Sequence, residues 1–121
     1  MDKNIAKGIK LIKQVENEKA ITFLSKALKD DPKNPEIHRH LGIAFTNLGD
    51  HTRAVLHFRK AVNLDPGHHQ TWWNLGNIYE IEKQYNEASQ AYQEAANIAA
   101  KINPEKAKSY LEWVQRVKSK Y

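Results

Sequence analysis

The apolar and small residues of this chain recur with a fixed spacing of 34 residues, and polar residues fill most of the positions between them. Three columns contain only small residues: Gly8, Gly42 and Gly76; Ala20, Ala54 and Ala88; Ala27, Ala61 and Ala95. Two columns contain larger apolar residues: Leu11, Phe45 and Tyr79; Leu24, Phe58 and Tyr92. A period of this length indicates a stack of similar supersecondary units, each burying its apolar face against its neighbours.

Within each period the apolar pattern is helical and is interrupted once near the middle. In the second unit Asn34 and Pro35 predict a helix start, because Asn caps helices and Pro fits the first helical position. That helix is predicted to end at Leu48-Gly49-Asp50. A second helix follows over about His51 to Asn63, and Asp65-Pro66-Gly67 ends the unit. Each unit is therefore predicted to be a pair of helices.

The first unit departs from this pattern more than the third, which repeats it with a turn at Lys83-Gln84. In the first unit Lys7 stands in the column of Leu41 and Leu75, although its second helix, Lys19 to Lys29, matches well. After the third unit, Asn103-Pro104 repeats the start signal with a slip of one residue. The helix that it opens has no partner and carries its apolar residues on one side: Ala107, Tyr110, Leu111 and Val114. It is predicted to be a capping helix with a polar outer face.

These columns resemble the tetratricopeptide repeat, with its Trp, Leu-Gly, Tyr, Ala, Phe, Ala and Pro signature. The third unit matches with Trp72, Leu75, Gly76, Tyr79, Ala88, Tyr92 and Ala95. The second matches with Leu41, Gly42, Phe45, Ala54, Phe58, Ala61 and Pro66. The resemblance implies an all-α, right-handed solenoid of three antiparallel helix pairs plus one C-terminal capping helix. It further implies a single domain with repeats at residues 1–34, 35–68 and 69–102 and a capping helix at 103–121.

The resemblance also implies a function, since members of this family typically bind peptide segments of other proteins and are rarely enzymes. Their first helices line a concave groove. We therefore expect a protein–protein interaction adaptor that holds a short peptide or helical segment, with these candidate groove residues: Ile5, Ile9, Ile12, Lys13, Arg39, His40, Ile43, Asn47, Trp73, Asn74, Asn77, Glu80 and Ile81. Apolar anchors flanked by charged residues suggest an amphipathic partner segment.

Two features of this set leave alternatives open. Trp72 belongs to the repeat core, whereas Trp73 points about 100° away on the helix, either to a ligand or onto the Lys or Arg stem of a neighbouring helix. Ile5, Ile9 and Ile12 widen the apolar arc of the first helix. Three interpretations of this arc remain open: it binds a ligand, it mediates self-association, or the first helix is rotated about its axis and packs with a different face. Self-assembly through the first or last helix is therefore the alternative function.

The residues at five groove positions argue against one class of partner that this family binds, the heat-shock chaperones. Members that grip the C-terminal carboxylate of heat-shock chaperones use Lys, Arg and Asn at five groove positions. Here those positions hold apolar or neutral residues: Ile5, Ile9, His40, Gln70 and Asn74. Binding of that carboxylate is therefore not expected.

Composition narrows the function further. With 40% hydrophobic and 27% charged residues, the chain is typical of a soluble globular domain. The absence of Cys excludes disulfides and thiolate zinc sites, and the His spacing does not suit a metal, so no metal and no cofactor are expected. The amino end has no signal-peptide core and no run is long enough to span a membrane, so we expect a cytoplasmic protein.

The charge invites two more partner classes. The net charge is +5 and the pI about 9.4, but acidic residues are spread throughout the chain and there is no Arg cluster, which argues against nucleic acid. Lys3, Lys7 and Lys10 form a stripe that leaves binding to an anionic surface as a minor alternative. No catalytic constellation is recognisable, so the chain is not expected to be an enzyme.

Overall fold

A computed structural model describes residues 2–120 of the 121-residue chain. Within that range there are seven helices and no strand, which confirms the all-α prediction. The helices are α1 (Lys3–Lys13), α2 (Asn17–Asp30), α3 (Pro35–Asn47), α4 (His51–Leu64), α5 (His69–Ile81), α6 (Tyr85–Ala99) and α7 (Pro104–Lys120). The fold is that of an all-α solenoid built from helix pairs with one additional terminal helix.

The helix starts follow from local capping chemistry. Asp2 accepts hydrogen bonds from the backbone N–H groups of Asn4 and Ile5, at 2.7 and 3.3 Å. The Asn34 side chain accepts from the backbone of Glu36 at 2.9 Å, and Pro35 occupies the first turn, as predicted. Asn103 caps α7 in the same manner, accepting from Lys106 at 3.2 Å. These side chains satisfy N–H groups that the helix itself leaves without partners.

The residues up to Leu64 form one compact unit. In it α1 packs against α2, α3 against α4, and α3 also against α2. Its core contains one aliphatic cluster of buried residues: Ile5, Leu24, Ala27, Ile37 and Leu41. The residues from Asp65 onward form a second compact unit, in which α6 packs against both α5 and α7. Its core is richer in alanine and tyrosine, with Tyr92 and Tyr110 packed among alanines and valines.

The 34-residue spacing of Gly8, Gly42 and Gly76 is explained by close approach of the paired helices. A Cβ atom at Gly8, Gly42 or Gly76 would lie within 2.5–2.7 Å of the side chain of Leu24, Phe58 or Tyr92, respectively. The atoms closest to each glycine therefore belong to the large residue of the second helix. The alanines of the second helices, Ala20, Ala54 and Ala88, are fully buried.

Helix α7 has the predicted position in the sequence but a different orientation about its axis. Ala107, Tyr110 and Val114 are buried as expected, whereas Leu111 is 44% exposed and Val117 is buried in its place. The prediction for Leu111 was therefore wrong. The buried set 107, 110, 114 and 117 keeps helical spacing and lies against α6. The single-domain organisation and the handedness of the superhelix stay predictions.

Candidate peptide-binding surfaces

The first unit places the three candidate isoleucines of α1 in different environments. Ile5 is only 4% exposed and belongs to the aliphatic cluster, so the prediction that it contacts a ligand is wrong. Ile9 and Ile12 are half-buried and pack against that same cluster. The wide apolar arc of α1 is thus largely used by the core of its own unit, which weakens both the ligand-wall and the self-association interpretations.

The remaining candidates of the first unit are mostly polar. Lys13 is exposed, and Arg39, His40 and Ile43 on α3 are half-buried. Asn47 donates a hydrogen bond from Nδ2 to Oδ1 of Asn17, at 3.0 Å. Since Asn17 is buried at the start of α2, this bond joins the end of α3 to α2 and gives Asn47 a structural role.

The lysine stripe of α1 has a structural explanation in the repeat register. Lys3, Lys7 and Lys10 occupy the columns of Ile37, Leu41 and Ala44, which are buried in the second repeat. Ile37 and Leu41 pack there on the preceding α2. In α1 the lysines are exposed instead, and Lys7 and Lys26 lie over the ring of Phe23, at 4.6 and 4.9 Å from its centroid.

In the second unit Trp73 is half-buried and packs against the apolar clusters formed by α6 and α7. Its ring meets the ring of Trp113 edge-to-face, with centroids 6.5 Å apart and planes at 82°. Trp113 is 37% exposed and also carries the Arg116 guanidinium over its ring at 4.2 Å. The neighbour of Trp73 is thus a second tryptophan, and sequence reasoning missed it. The available signal was a tryptophan three residues after Tyr110, at the border of the apolar side of α7.

Asn77 and Glu80 belong to a hydrogen-bond network with the buried Tyr92. The Tyr92 hydroxyl lies 2.6 Å from Oδ1 of Asn77 and 2.9 Å from Oε1 of Glu80, and Arg116 donates to that Glu80 oxygen at 2.6 Å. A hydroxyl has one hydrogen, so it donates to only one of these acceptors at a time. The network ties α5 to α6 and α7 and gives both candidates a structural role.

Trp72, in the adjacent position to Trp73, donates from Nε1 to the Pro66 carbonyl at 2.9 Å.

The pKa values in this network follow from burial and charge. Burial and the bond to Glu80 raise the pKa of Tyr92 well above its usual range. Burial opposes ionisation of Glu80, but the hydrogen bonds from Arg116 and Tyr92 outweigh it, so its pKa is lowered. Glu80 is therefore an anion at neutral pH, paired within its own unit. Of the α5 candidates, Asn74 is half-buried and Ile81 is 58% exposed.

His38 and His57 form a pair in the first unit. His38 is 3% exposed, its Nε2 lies 3.0 Å from the Pro32 carbonyl and its Nδ1 lies 3.1 Å from Nδ1 of His57. Because a carbonyl only accepts, His38 donates from Nε2, and in that tautomer its Nδ1 accepts from the Nδ1–H of His57. Burial is the main cause that lowers the pKa of His57 to about 4, and its neighbours His38 and Lys60 lower this pKa further.

Residues 2–120 contain neither a cluster of metal-binding side chains nor a membrane-spanning helix. Among residues 2–120, no three His, Asp or Glu side chains lie close enough together to hold a metal ion. None of the helices in that range has the length and apolar character needed to cross a membrane.

Comparison with known families identifies the repeats. A model described as "TPR repeat" matches residues 10–49, and two models described as "Tetratricopeptide repeat" match residues 35–68 and 69–102. The chain belongs to the tetratricopeptide repeat (TPR) family and is a protein–protein interaction module of this class. TPR regions are typically non-catalytic.

Curated relatives share only part of their length with this chain. Superkiller complex protein 3 of Mus musculus is 30% identical over 89 residues, which are 74% of this chain and 6% of that protein. Protein O-mannosyl-transferase TMTC1 of Homo sapiens is 32% identical over 93 residues, 71% of this chain and 10% of that protein. The chain thus spans a tenth or less of the length of these two relatives.

Solved structures match nearly the whole chain. The Sgt2 TPR domain from Aspergillus fumigatus has a TM-score of 0.83 at 26% identity, covering 95% of this chain and 76% of that one. PcrH in complex with the chaperone-binding region of PopD has a TM-score of 0.90 at 13% identity, covering 97% and 90%. The first TPR of Spaghetti (RPAP3), bound to the HSP90 peptide SRMEEVD, has a TM-score of 0.84 at 22% identity, covering 96% and 90%. The last two show the fold alone.

Proposed function

We propose that this chain is an adaptor that binds a short segment of a partner protein, with the Trp73–Trp113 pair of the second unit as its main anchor. The main support is that the two tryptophans of the second unit meet edge-to-face while Trp113 keeps 37% of its surface exposed. Tryptophan is enriched among residues that dominate binding energy, since it buries a large area with few rotatable bonds.

The polar surroundings of the tryptophan pair are held in place. Arg116 is fixed by Glu80 and stacks on Trp113, and Glu80 is fixed by Tyr92. Preorganisation of this kind lowers the entropy that is lost when a ligand binds. Ile81 adds an exposed apolar side chain on α5. In the first unit Ile9, Ile12 and Ile43 with Lys13 and Arg39 are a second candidate contact face.

Structures of similar proteins bound to segments of other proteins support a protein segment as the partner. PcrH is seen with a region of PopD and RPAP3 with an HSP90 peptide, so this fold accommodates segments of other proteins. For this chain we propose a segment with apolar anchors instead of a chaperone carboxylate, because the groove positions for that carboxylate lack cations. The adaptor role, the absence of catalysis and the cytoplasmic location stay predictions.

Selection from a displayed library of random peptide segments tests this function. We expect enrichment of segments with aromatic or aliphatic residues, and Trp113→Ala should weaken the enriched peptides by about 2 kcal/mol, roughly thirtyfold. Leu111→Ala is the matched control, because Leu111 is an exposed apolar residue on the same helix outside the tryptophan pair. Circular dichroism must show both variants folded.

Two outcomes of this selection would contradict the proposal. A wild-type chain that enriches no segment would refute the proposal. Enriched segments that bind Trp113→Ala and Leu111→Ala equally well would remove the tryptophan anchor from it.

A further inference from the structure

A pocket of about 370 Å³ opens in the first unit beside the buried His38. It is lined by residues of α2, α3, α4 and the turn before α3: Leu28, Pro32, His38, Lys60, Asn63 and Leu64. Its volume falls within the range of roughly 300–1,000 Å³ that is usual for small-molecule sites. None of the residues in the proposed peptide-binding surfaces lines it.

The pocket coincides with an exchange of side chains between repeats. His38 stands in the column of Trp72, and both ring N–H groups donate to the carbonyl of the corresponding proline, Pro32 or Pro66, at 3.0 and 2.9 Å. Histidine thus reproduces the hydrogen bond of tryptophan without its six-membered ring. His57, on α4, stands in the column of Ala91 and stacks on His38 with centroids 5.3 Å apart.

The lining has a definite chemistry. Leu28, Pro32 and Leu64 offer apolar surface, Lys60 offers an ammonium group and Asn63 an amide. No carboxylate lines the pocket; Asp31, next to Pro32, accepts a hydrogen bond from Asn34 at 3.1 Å. His38 has both ring nitrogens engaged, so it offers an aromatic surface and no free hydrogen-bonding group.

The charge of the pocket comes from one side chain. His57 is neutral at neutral pH because burial and neighbouring charges depress its pKa to about 4. Lys60 has no ion-pair partner within 4 Å among residues 2–120. An anionic group at the pocket mouth would therefore meet one uncompensated ammonium group, while an apolar ring would meet leucine, proline and imidazole.

We propose that this pocket binds a small aromatic carboxylate, with its ring against Leu28, Leu64 and His38 and its carboxylate on Lys60. The ligand is a free molecule, and its binding is independent of the peptide-binding function. A charge-assisted hydrogen bond supplies orientation, and burial of the ring supplies most of the affinity.

Titration with 4-phenylbutyrate, followed by the methyl resonances of Leu28 and Leu64, tests the proposal. We expect saturable shifts at these methyl groups and none at Leu111, which is exposed on α7. The neutral analogue 4-phenylbutanol and the variant Lys60→Gln should each bind about tenfold more weakly, because either change removes the charge-assisted bond. Equal affinity for acid and alcohol would overturn the assignment of a carboxylate.

A second variant tests the pocket itself. Leu64→Trp enlarges a side chain that lines the pocket and is 40% exposed, so the variant should fold and its indole ring should occupy pocket volume. We expect it to lose the 4-phenylbutyrate shifts while Lys60 is unchanged. Leu28 shifts that persist in the folded Leu64→Trp variant, or shifts that never saturate in the wild type, would refute the site. If N-acetyl-Gly-Phe binds more tightly than 4-phenylbutyrate, the occupant is the C-terminal residue of a polypeptide, and the proposal of a free small molecule is refuted.

Discussion

At Gly42 the two helices of the second repeat come so close that a Cβ atom would lie 2.5 Å from Cε1 of Phe58. Phe58 is 1% exposed and its ring has little room to move. The glycine is therefore required by the distance between α3 and α4, since Gly42 lies within a helix where alanine would otherwise be favoured.

Gly42→Ala is predicted to lower the free energy of unfolding by about 1–3 kcal/mol, because the added methyl group overpacks Phe58. Gly67→Ala is the matched control: its nearest atom would be Oδ1 of Asp65 at 3.8 Å, and we expect little change. Urea unfolding of both variants measures the difference. Equal stability of the two variants would show that Phe58 yields without cost.

Single side chains were predictable where the repeat register determines their environment. The alanine columns and Gly8, Gly42 and Gly76 are buried as their spacing indicated. Val15 departs from the apolar pattern, since it is 78% exposed with a φ of 61°. It stands in the column of Gly49, whose φ is 78°, so the turn between paired helices imposes the left-handed backbone on a β-branched residue.

At the scale of helices, the second and third repeats carry different side chains at one pair of equivalent positions. The second repeat has His38 and His57, whereas the third has Trp72 and Ala91. In the second repeat His57 stacks between His38 and Phe45, with centroids 5.3 and 5.6 Å away. This stack joins α3 to α4 through an imidazole that is neutral at neutral pH, because burial lowers its pKa.

The low pKa of His57 predicts a pH dependence of stability. Its pKa is about 4 in the folded chain and about 6.5 when unfolded, so the unfolded chain takes up the proton first as pH falls. The contribution is thus complete above pH 6.5 and is lost as pH falls towards 4. Because His57 is only partly buried, we expect a loss of about 1–2 kcal/mol over this range after solvent screening.

His57→Phe, which copies Phe23 of the first repeat, isolates this contribution. Chemical unfolding of wild type and variant at pH 7 and pH 5 should show a smaller loss of stability in the variant. The groups facing His57 are His38, Phe45 and Lys60, and all three remain in the variant. Parallel pH profiles for the two proteins would contradict the predicted role of His57.

Helix existence and pairing could be predicted, but rotation about the helix axis could not. The start of α7 at Asn103-Pro104 is a local signal, whereas the side it buries depends on the alanine-rich surface of α6. For the same reason Trp113 escaped prediction, and Ile5 was assigned to a ligand although α2 and α3 bury it. The position of a helix along the chain is encoded by nearby residues, whereas these contacts depend on the packing of helices that are distant in sequence.

Across the whole molecule, charge is unevenly distributed. Residues up to Leu64 contain 12 Lys or Arg and 7 Asp or Glu, whereas residues from Asp65 onward contain 7 of each. The net charge of +5 therefore belongs entirely to the first unit. Several of its acidic residues are engaged in caps or short-range pairs, such as Asp2, Glu16 and Asp50. A basic unit alone does not make a carboxylate clamp, however, because a clamp needs cations at particular groove positions.

The peptide SRMEEVD, which is bound by the first TPR of RPAP3, tests this distinction. At the positions where the family places its clamp, this chain has the buried Ile5, the half-buried Ile9 and the neutral Gln70 and Asn74. Loss of two charge-assisted hydrogen bonds corresponds to about 3 kcal/mol, so we expect binding roughly a hundredfold weaker than to the RPAP3 domain. Isothermal titration of both proteins measures this ratio. The double variant Gln70→Lys and Asn74→Arg, with both changes on α5, should recover part of the affinity, since neither side chain is fully buried. Wild-type affinity equal to that of RPAP3 would mean that the basic first unit holds the carboxylates by charge alone, and then high salt should abolish binding.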